Sequence, residues 1–432
     1  MAGLLFGLLA LMLAIGIPIG SSLGLSLVGV LFAGNFPNLF PMIPQRMFTT
    51  IDNFPFMAIP LFILAGNMMS EGGMSKRMLH FVEVLLRRKP IALANTTTGA
   101  SMFFGAISGS NPATVAAIGG LTIPYMKKKG YPSENAGAVA AASGTVGVII
   151  PPSIPMVTYA VTANLSVGTM FICGIIPGFL VGITIMMVNR FMCTRYEPAN
   201  KDAPRLTFKE FWVALREAGL TLLMPIIILG GIYGGVFTPT EAASVACVYA
   251  FGISMFVYRE IKITDLFGIV LKSARNAAII LFVISMSGPF GWFMTNRGIP
   301  AMIANTVLGT FSSKIAILFF VNAVLLFLGC LLETQVIILL MTPILLPIGL
   351  TLGLSPYVLG LIIVINTSIG MITPPMAVNL FVASSISQST IEGISRKILP
   401  YLFAEILLLM LFTYFPQIIT FIPSVLGFNV LN

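Results

Sequence analysis

The sequence predicts an all-α, polytopic membrane protein built as an inverted repeat, with two re-entrant hairpins and two broken helices. Three observations predict it. Only 9% of the 432 residues are charged and 57% are hydrophobic, whereas soluble domains carry about 25% charge. Apolar runs recur at 4–32, 220–236, 315–328 and 398–412, several of them near the roughly 20 residues that span a bilayer. Two stretches that each run into a double proline also align, glycine on glycine, at a shift of 223 (353 minus 130).

The elements follow in order from the placement of charge. Basic residues flank the apolar spans, so the net charge of +9 sets orientation and does not mark a nucleic-acid binder. The run 4–32 lacks a basic leader and a cleavage site, and is expected as one retained helix crossing outward. Residues 56–69 return to Lys76, Arg77 and the basic cluster 87–89. The segment 90–126 then ends at Lys127, Lys128 and Lys129. One crossing would leave one of these clusters outside, so the segment dips in and returns, with SGSNP (108–112) at its tip. The broken helix 133–163 goes out through GTVGVIIPPSIP, and 170–188 comes back to the basic stretch 190–216. Residues 220–236 go out, 242–257 in and 279–293 out. A second hairpin, 315–350, enters from outside with LLETQ (331–335) at its tip. The second broken helix, 356–387, crosses inward to Arg396 and Lys397, and 398–415 leaves again. Of 23 basic residues, only Arg46, Arg297 and Lys314 then lie outside.

The shift places GYPSENAGAVAAASGTVGVIIPPS (130–153) over GLSPYVLGLIIVINTSIGMITPPM (353–376). Gly130 meets Gly353, Gly137 meets Gly360, Gly147 meets Gly370, and Pro124 meets Pro347. The tips coincide as well, Ser110 on Glu333. The two copies cross in opposite senses, and inverted repeats with broken helices point to a secondary transporter with a midplane site. Proline removes a helical donor, and bare backbone persists in a membrane only inside protein or beside a wet cavity. Freed carbonyls suit a cation and helix N-termini suit an anion. Kinks serving packing alone are the plain alternative.

Ser108, Ser110 and Asn111 at the first tip, with Ser153 after the first proline pair, offer hydroxyls and an amide to a carboxylate or to sugar hydroxyls. Asn379 joins this substrate set, as does Glu333, a carboxylate at membrane depth. Thr145 and the backbone of Gly144, Gly147 and Val148, with Pro151 and Ser108, form a candidate sodium set, because hard cations prefer oxygen. Glu333, Thr334, Thr367, Gly370, Met371 and Thr373 form its mirror. Helix-to-helix hydrogen bonding is the alternative for each serine and threonine. Glu405 is a further buried-acid candidate or a subunit contact, and Glu241 in FTPTEAAS reads as a helix cap.

An enzyme is disfavoured. His80, the one histidine, lies in a basic loop, no HExxH is present, and the four cysteines lack ligand spacing. No GxxxxGK[ST] loop exists to hold ATP, and no organic cofactor is expected. A passive channel remains an alternative.

GAISGSNPATVAAIGG (105–120), GVIIPPSIPMV (147–157), GGVFTPTEAASVA (234–246) and GMITPPMAVNLF (370–381) resemble the large membrane subunit of tripartite ATP-independent periplasmic (TRAP) transporters, over essentially the whole chain. The resemblance implies a sodium-driven elevator in the bacterial inner membrane that imports organic acids. It implies two partners, a periplasmic substrate-binding protein and a small membrane subunit of about four helices. Within the family the first tip is most similar to the sialic-acid branch, with C4-dicarboxylate carriers, or a symporter working without a binding protein, as alternatives. The family's division implies scaffold helices and an arm at 1–89, a transport half at 90–165, scaffold and link at 166–312, a second transport half at 313–392 and a scaffold helix at 393–432. The tip serines and Ser153 would contact substrate, and the two glycine-proline breaks would hold sodium.

Overall fold

The computed structural model describes residues 1–430 except 88, 90, 199–205, 312, 376 and 429. Arg88, Lys201 and Arg205 of the basic stretches, Pro90 and Ser312 at segment boundaries, and Met376 at the end of the aligned repeat lie outside the described residues. The described chain is helical, without strands. Eight of its helical stretches are long and apolar enough to cross a membrane.

The N-terminal run is two helices, α1 (Ala2–Ala14) and α2 (Ile19–Ala33). This corrects the expected single crossing over 4–32. Gly16 takes a left-handed φ of 84° and Pro18 starts α2 without a donor, so the chain doubles back. A Cβ on Gly29 would stand 2.8 Å from Leu8, and one on Gly34 would stand 3.0 Å from Met1. At 13 and 15 residues the helices reach about 20–22 Å, short of a roughly 30 Å hydrocarbon core. Both ends face the side where Arg297 stacks 4.1 Å over Phe36. Continuous hydropathy cannot show such a turn.

α3 (Met42–Ile51) leads to α4 (Ala58–Glu71) and α5 (Met74–Leu86). The first hairpin is α6 (Ala92–Ser108), a short α7 (Asn111–Thr114), a π-helical turn Val115–Gly119 and α8 (Gly120–Lys128). The first broken helix is α9 (Ser133–Ser143), a 3₁₀ segment Gly144–Val148 and α10 (Ile154–Thr162). After α11 (Val167–Cys193) come α12 (Phe208–Tyr233) and α13 (Pro239–Gly252). Glu241 does cap α13, in a reciprocal box with Thr238. The second unit is α14 (Ile263–Asn296), α15 (Ile299–Thr310), a hairpin of α16 (Lys314–Leu331) and α17 (Thr334–Thr351), and a broken helix of α18 (Pro356–Gly370) and α19 (Val378–Ser387). α20 (Ile391–Tyr414) follows, and α21 (Gln417–Val425) packs back on α11.

The repeat is longer than the sequence alignment reaches. Gly73 and Gly298 both cap the helix that follows them with left-handed φ, 74° and 64°, at a shift of 225 (298 minus 73). The hairpin arms pair Gly105 with Gly329, a shift of 224. From the tips onward the shift is 223, and Gly130 and Gly353 both turn with positive φ. Two one-residue slips therefore hide the first part of the repeat from an ungapped comparison.

Among the described residues two large apolar cores result, with a small third cluster of Phe81, Val82, Ala214 and Ala218. One gathers α2, α4, α13 and α14 around Leu27, Phe62, Met69 and Phe290. The other surrounds the broken helices and includes Phe171 and Ile185 of α11 and Tyr401 and Phe412 of α20. Both helices were expected as scaffold, at 166–312 and 393–432. Their buried faces pack with the broken helices.

Candidate functional site

Each hairpin tip is held against the break of its own repeat by glycine. A Cβ on Gly105 would lie 2.8 Å from Gly147 Cα, and one on Gly370 would lie 2.5 Å from Gly329 Cα. Only hydrogen allows backbones to approach this closely. Ser110 and Glu333 are the residues immediately before α7 and α17, both with extended backbone, as the alignment pairs them.

The tips meet in one cleft. Gly109, Ser110, Asn111 and Pro112 line it from the first, and Glu333, Thr334 and Gln335 from the second. Val148 and Met371 add the two breaks, and Ile280 of α14 closes a side. Glu333 is exposed, and its side chain caps no N–H of α17. No lysine or arginine lines the cleft among the described residues.

Beneath the cleft a polar chain crosses between repeats. Asn111 Nδ2 donates to Ser368 Oγ at 2.7 Å, and Ser368 Oγ donates to the Thr145 carbonyl at 2.7 Å. Thr145 and Ser368 are themselves repeat mates, 223 apart, so the contact sits where the two copies face each other. Met371 Sδ receives weak bonds from Asn111 at 3.5 Å and from Thr334 Oγ1 at 3.4 Å. Ser108 Oγ lies 3.0 Å from Thr114 Oγ1, which donates to the Ser110 carbonyl at 2.8 Å.

Other candidates sit elsewhere. Ser153 is fully buried, donating to the Val148 carbonyl at 2.6 Å and accepting from Met156 N as the cap of α10. Asn379 is also fully buried, with its amide on the Ala141 carbonyl at 3.2 Å. Thr367 and Thr373 bond back to their own helix carbonyls. Gly144 packs on Val115, and Pro151, joined to Pro152 by a cis bond, faces an apolar crevice shared with α6, α11 and α12. Sequence reasoning missed Thr114, Gln335 and Ser368. Ser368 was legible as the shift mate of Thr145, because residues near a pseudo-symmetry axis meet their own counterparts.

Orphaned buried oxygens test whether a small cation fits. Asn111 Oδ1, Asn379 Oδ1 and Glu405 Oε2 are buried without a hydrogen-bond partner, and amide and carboxylate oxygens left open in this way suit a hard cation. Asn111 of the first tip with Thr145 of the first break, and Thr334 of the second tip with Met371 of the second break, would hold it. On the basic side, Glu197 accepts from Tyr131 OH at 2.8 Å and Leu93 N at 3.0 Å, pinning the first hairpin's base. Burial, then this carboxylate, push the Tyr131 hydroxyl well above its ordinary range.

Opposed hairpins, broken helices and a shared cleft define an inverted-repeat membrane transport protein. Residues 6–418 match the family described as "Tripartite ATP-independent periplasmic transporter, DctM component", and the chain belongs to that family, whose members sit in the bacterial inner membrane. It is 43% identical over 91% of its length to an isethionate TRAP transporter permease protein, DctMQ, of Oleidesulfovibrio alaskensis, spanning 61% of that longer protein. It is 39% identical to the C4-dicarboxylate large permease DctM of Pseudomonas aeruginosa, over 89% of this chain and 90% of that one. The sialic acid large permease SiaM of Vibrio cholerae is 33% identical, over 89% and 90%. Among solved structures, the YdaH transporter of Alcanivorax borkumensis shares the fold, with TM-score 0.56 at 15% identity, covering 85% of this chain and 87% of that one.

Proposed function

We propose that this chain is the sodium-coupled translocating subunit for a small organic anion, handed over by a periplasmic substrate-binding protein and assisted by a small membrane subunit. The carrying observation is the cleft where Ser110 and Asn111 face Glu333, Thr334 and Gln335. It holds an acid and no base among the described residues, so an anion there needs N–H donors and a co-bound cation. Sodium in the two breaks supplies that charge and links loading to movement of the core around the broken helices. The relatives of higher identity are named for isethionate and C4-dicarboxylate, and a more distant one for sialic acid. A small carboxylate or sulfonate is therefore the expected cargo, ahead of the N-acetylneuraminate that the first tip favours.

Liposomes carrying this chain with both partners test it. Uptake of isethionate or a C4-dicarboxylate should require the binding protein and an inward sodium gradient, and should ignore ATP. Uptake undiminished in choline overturns the coupling. Transport without the binding protein would make the chain an independent symporter, and preference for N-acetylneuraminate would restore the sialic-acid branch.

A further inference from the structure

α20 carries an acid where the membrane core would exclude one. Its outer face presents Leu399, Phe403, Leu407 and Leu411 to lipid, and its inner face buries Ile398, Tyr401, Glu405, Leu409 and Phe412. Glu405 is 1% exposed and has no ion-pair partner among the described residues. An isolated carboxylate at such depth is costly unless something neutralises it.

Its polar contact among the described residues is a hydroxyl. Glu405 Oε1 lies 3.3 Å from Thr145 Oγ1, which is 2.8 Å from the Ala142 carbonyl. Threonine has one hydroxyl proton, so it serves one of these acceptors at a time. Glu405 Oε2 has no partner. The cluster thus joins a carboxylate, a hydroxyl and a carbonyl, with one proton between them, where α9 passes into the 3₁₀ segment Gly144–Val148. The Thr145 carbonyl is meanwhile held by Ser368, which also receives the Asn111 amide. Whatever binds at Glu405 is therefore tied through two hydrogen bonds to the first hairpin tip.

We propose that Glu405, Thr145 Oγ1 and the Ala142 carbonyl form a sodium site, with Glu405 as its charged ligand anchoring α20 to the first broken helix. Charge complementarity carries the site: a monovalent cation among three hard oxygens cancels the buried carboxylate. The choice of sodium rests on the coupled-transport reading, whereas the existence of a cation site rests on the geometry alone.

The test is thermal unfolding of the purified full chain in detergent, titrated with sodium chloride against choline chloride at constant ionic strength, without substrate. Sodium should stabilise the wild type. Glu405→Gln, which keeps size and the Thr145 contact, should raise the sodium midpoint about tenfold or more. Thr145→Ser should retain the wild-type midpoint and Thr145→Val should raise it, which decides the matter if Glu405→Gln fails to fold. A wild-type midpoint in Glu405→Gln or Thr145→Val overturns the site. So does stability that ignores sodium but follows pH and loses that dependence in Glu405→Gln, since the carboxyl is then simply protonated. Sodium-independent uptake in liposomes sinks the coupling reading and leaves a cation-dependent melting curve intact, so the two failures are separable.

Discussion

The two hairpin tips occupy equivalent places and carry different chemistry. The first has an extra residue, Gly109, in left-handed conformation, and Ser108, Ser110 and Thr114 bond among themselves. The second passes straight through Leu332 and Glu333, with a free acid at the cleft and Thr334 on sulfur. Below the tips the copies are alike, glycine against glycine. Duplication preserved what positions the tips and let the contact groups diverge. The first tip is a rigid set of neutral donors and acceptors, and the second presents charge.

The strongest challenge to this comparison strikes what the repeats share. Gly370→Ala would place a methyl 2.5 Å from Gly329 Cα, and Gly147→Ala one 2.8 Å from the Ser110 carbonyl oxygen. Backbone cannot yield as a flexible side chain would, so each should cost at least about 1–3 kcal/mol and abolish uptake. Thermal unfolding and liposome assays measure this. Normal melting with normal uptake in either variant would show that tip and break separate freely.

Glu333→Gln sharpens the difference between the tips. Its carboxylate caps no helix and stays exposed, so the melting temperature should hold. Uptake at limiting sodium should fall about tenfold or more, with loss relieved at high sodium. An unchanged rate and sodium dependence would make the acid a bystander.

Asn111 tests the bridge between copies. Asn111→Ala removes the donor to Ser368 and leaves buried groups unpaired, at about 1–3 kcal/mol. Reduced stability should accompany slower uptake, because the bridge joins the first tip to the second break. Stability falling with uptake per folded molecule unchanged would confine Asn111 to packing.

Much of this architecture was legible in the sequence. Like-signed basic clusters on both flanks revealed the first hairpin, and Gly/Pro matches revealed both breaks and the pairing of Ser110 with Glu333. The rest was hidden for physical reasons. The turn at Gly16 and Pro18 lies where mean hydropathy stays high, so a hydropathy reading passes over the Gly/Pro/Ser signal in residues 16–22. The membership of α11 and α20 in the inner core depends on which face of an almost wholly apolar helix is buried, and composition barely differs between faces. For the site, residue type named the hydroxyls, but only geometry shows which proton each one spends. Ser153 is the clearest case.

The smallest expected effect belongs to Ser153, and it separates a binding hydroxyl from a capping one. In the sequence it stands beside Ser110 as a substrate contact. In the fold its proton goes to the Val148 carbonyl and its lone pair to Met156 N, and no side-chain surface remains exposed. A capping serine replaced by alanine costs about 1 kcal/mol. Ser153→Ala should therefore melt slightly earlier while keeping its affinity for substrate and its sodium dependence, whereas Ser110→Ala, at the cleft, should weaken uptake without that loss of stability. Measuring KM and melting temperature for both variants decides the assignment. A raised KM for Ser153→Ala at unchanged stability would mean that the break opens during transport and that Ser153 then leaves its cap for the substrate.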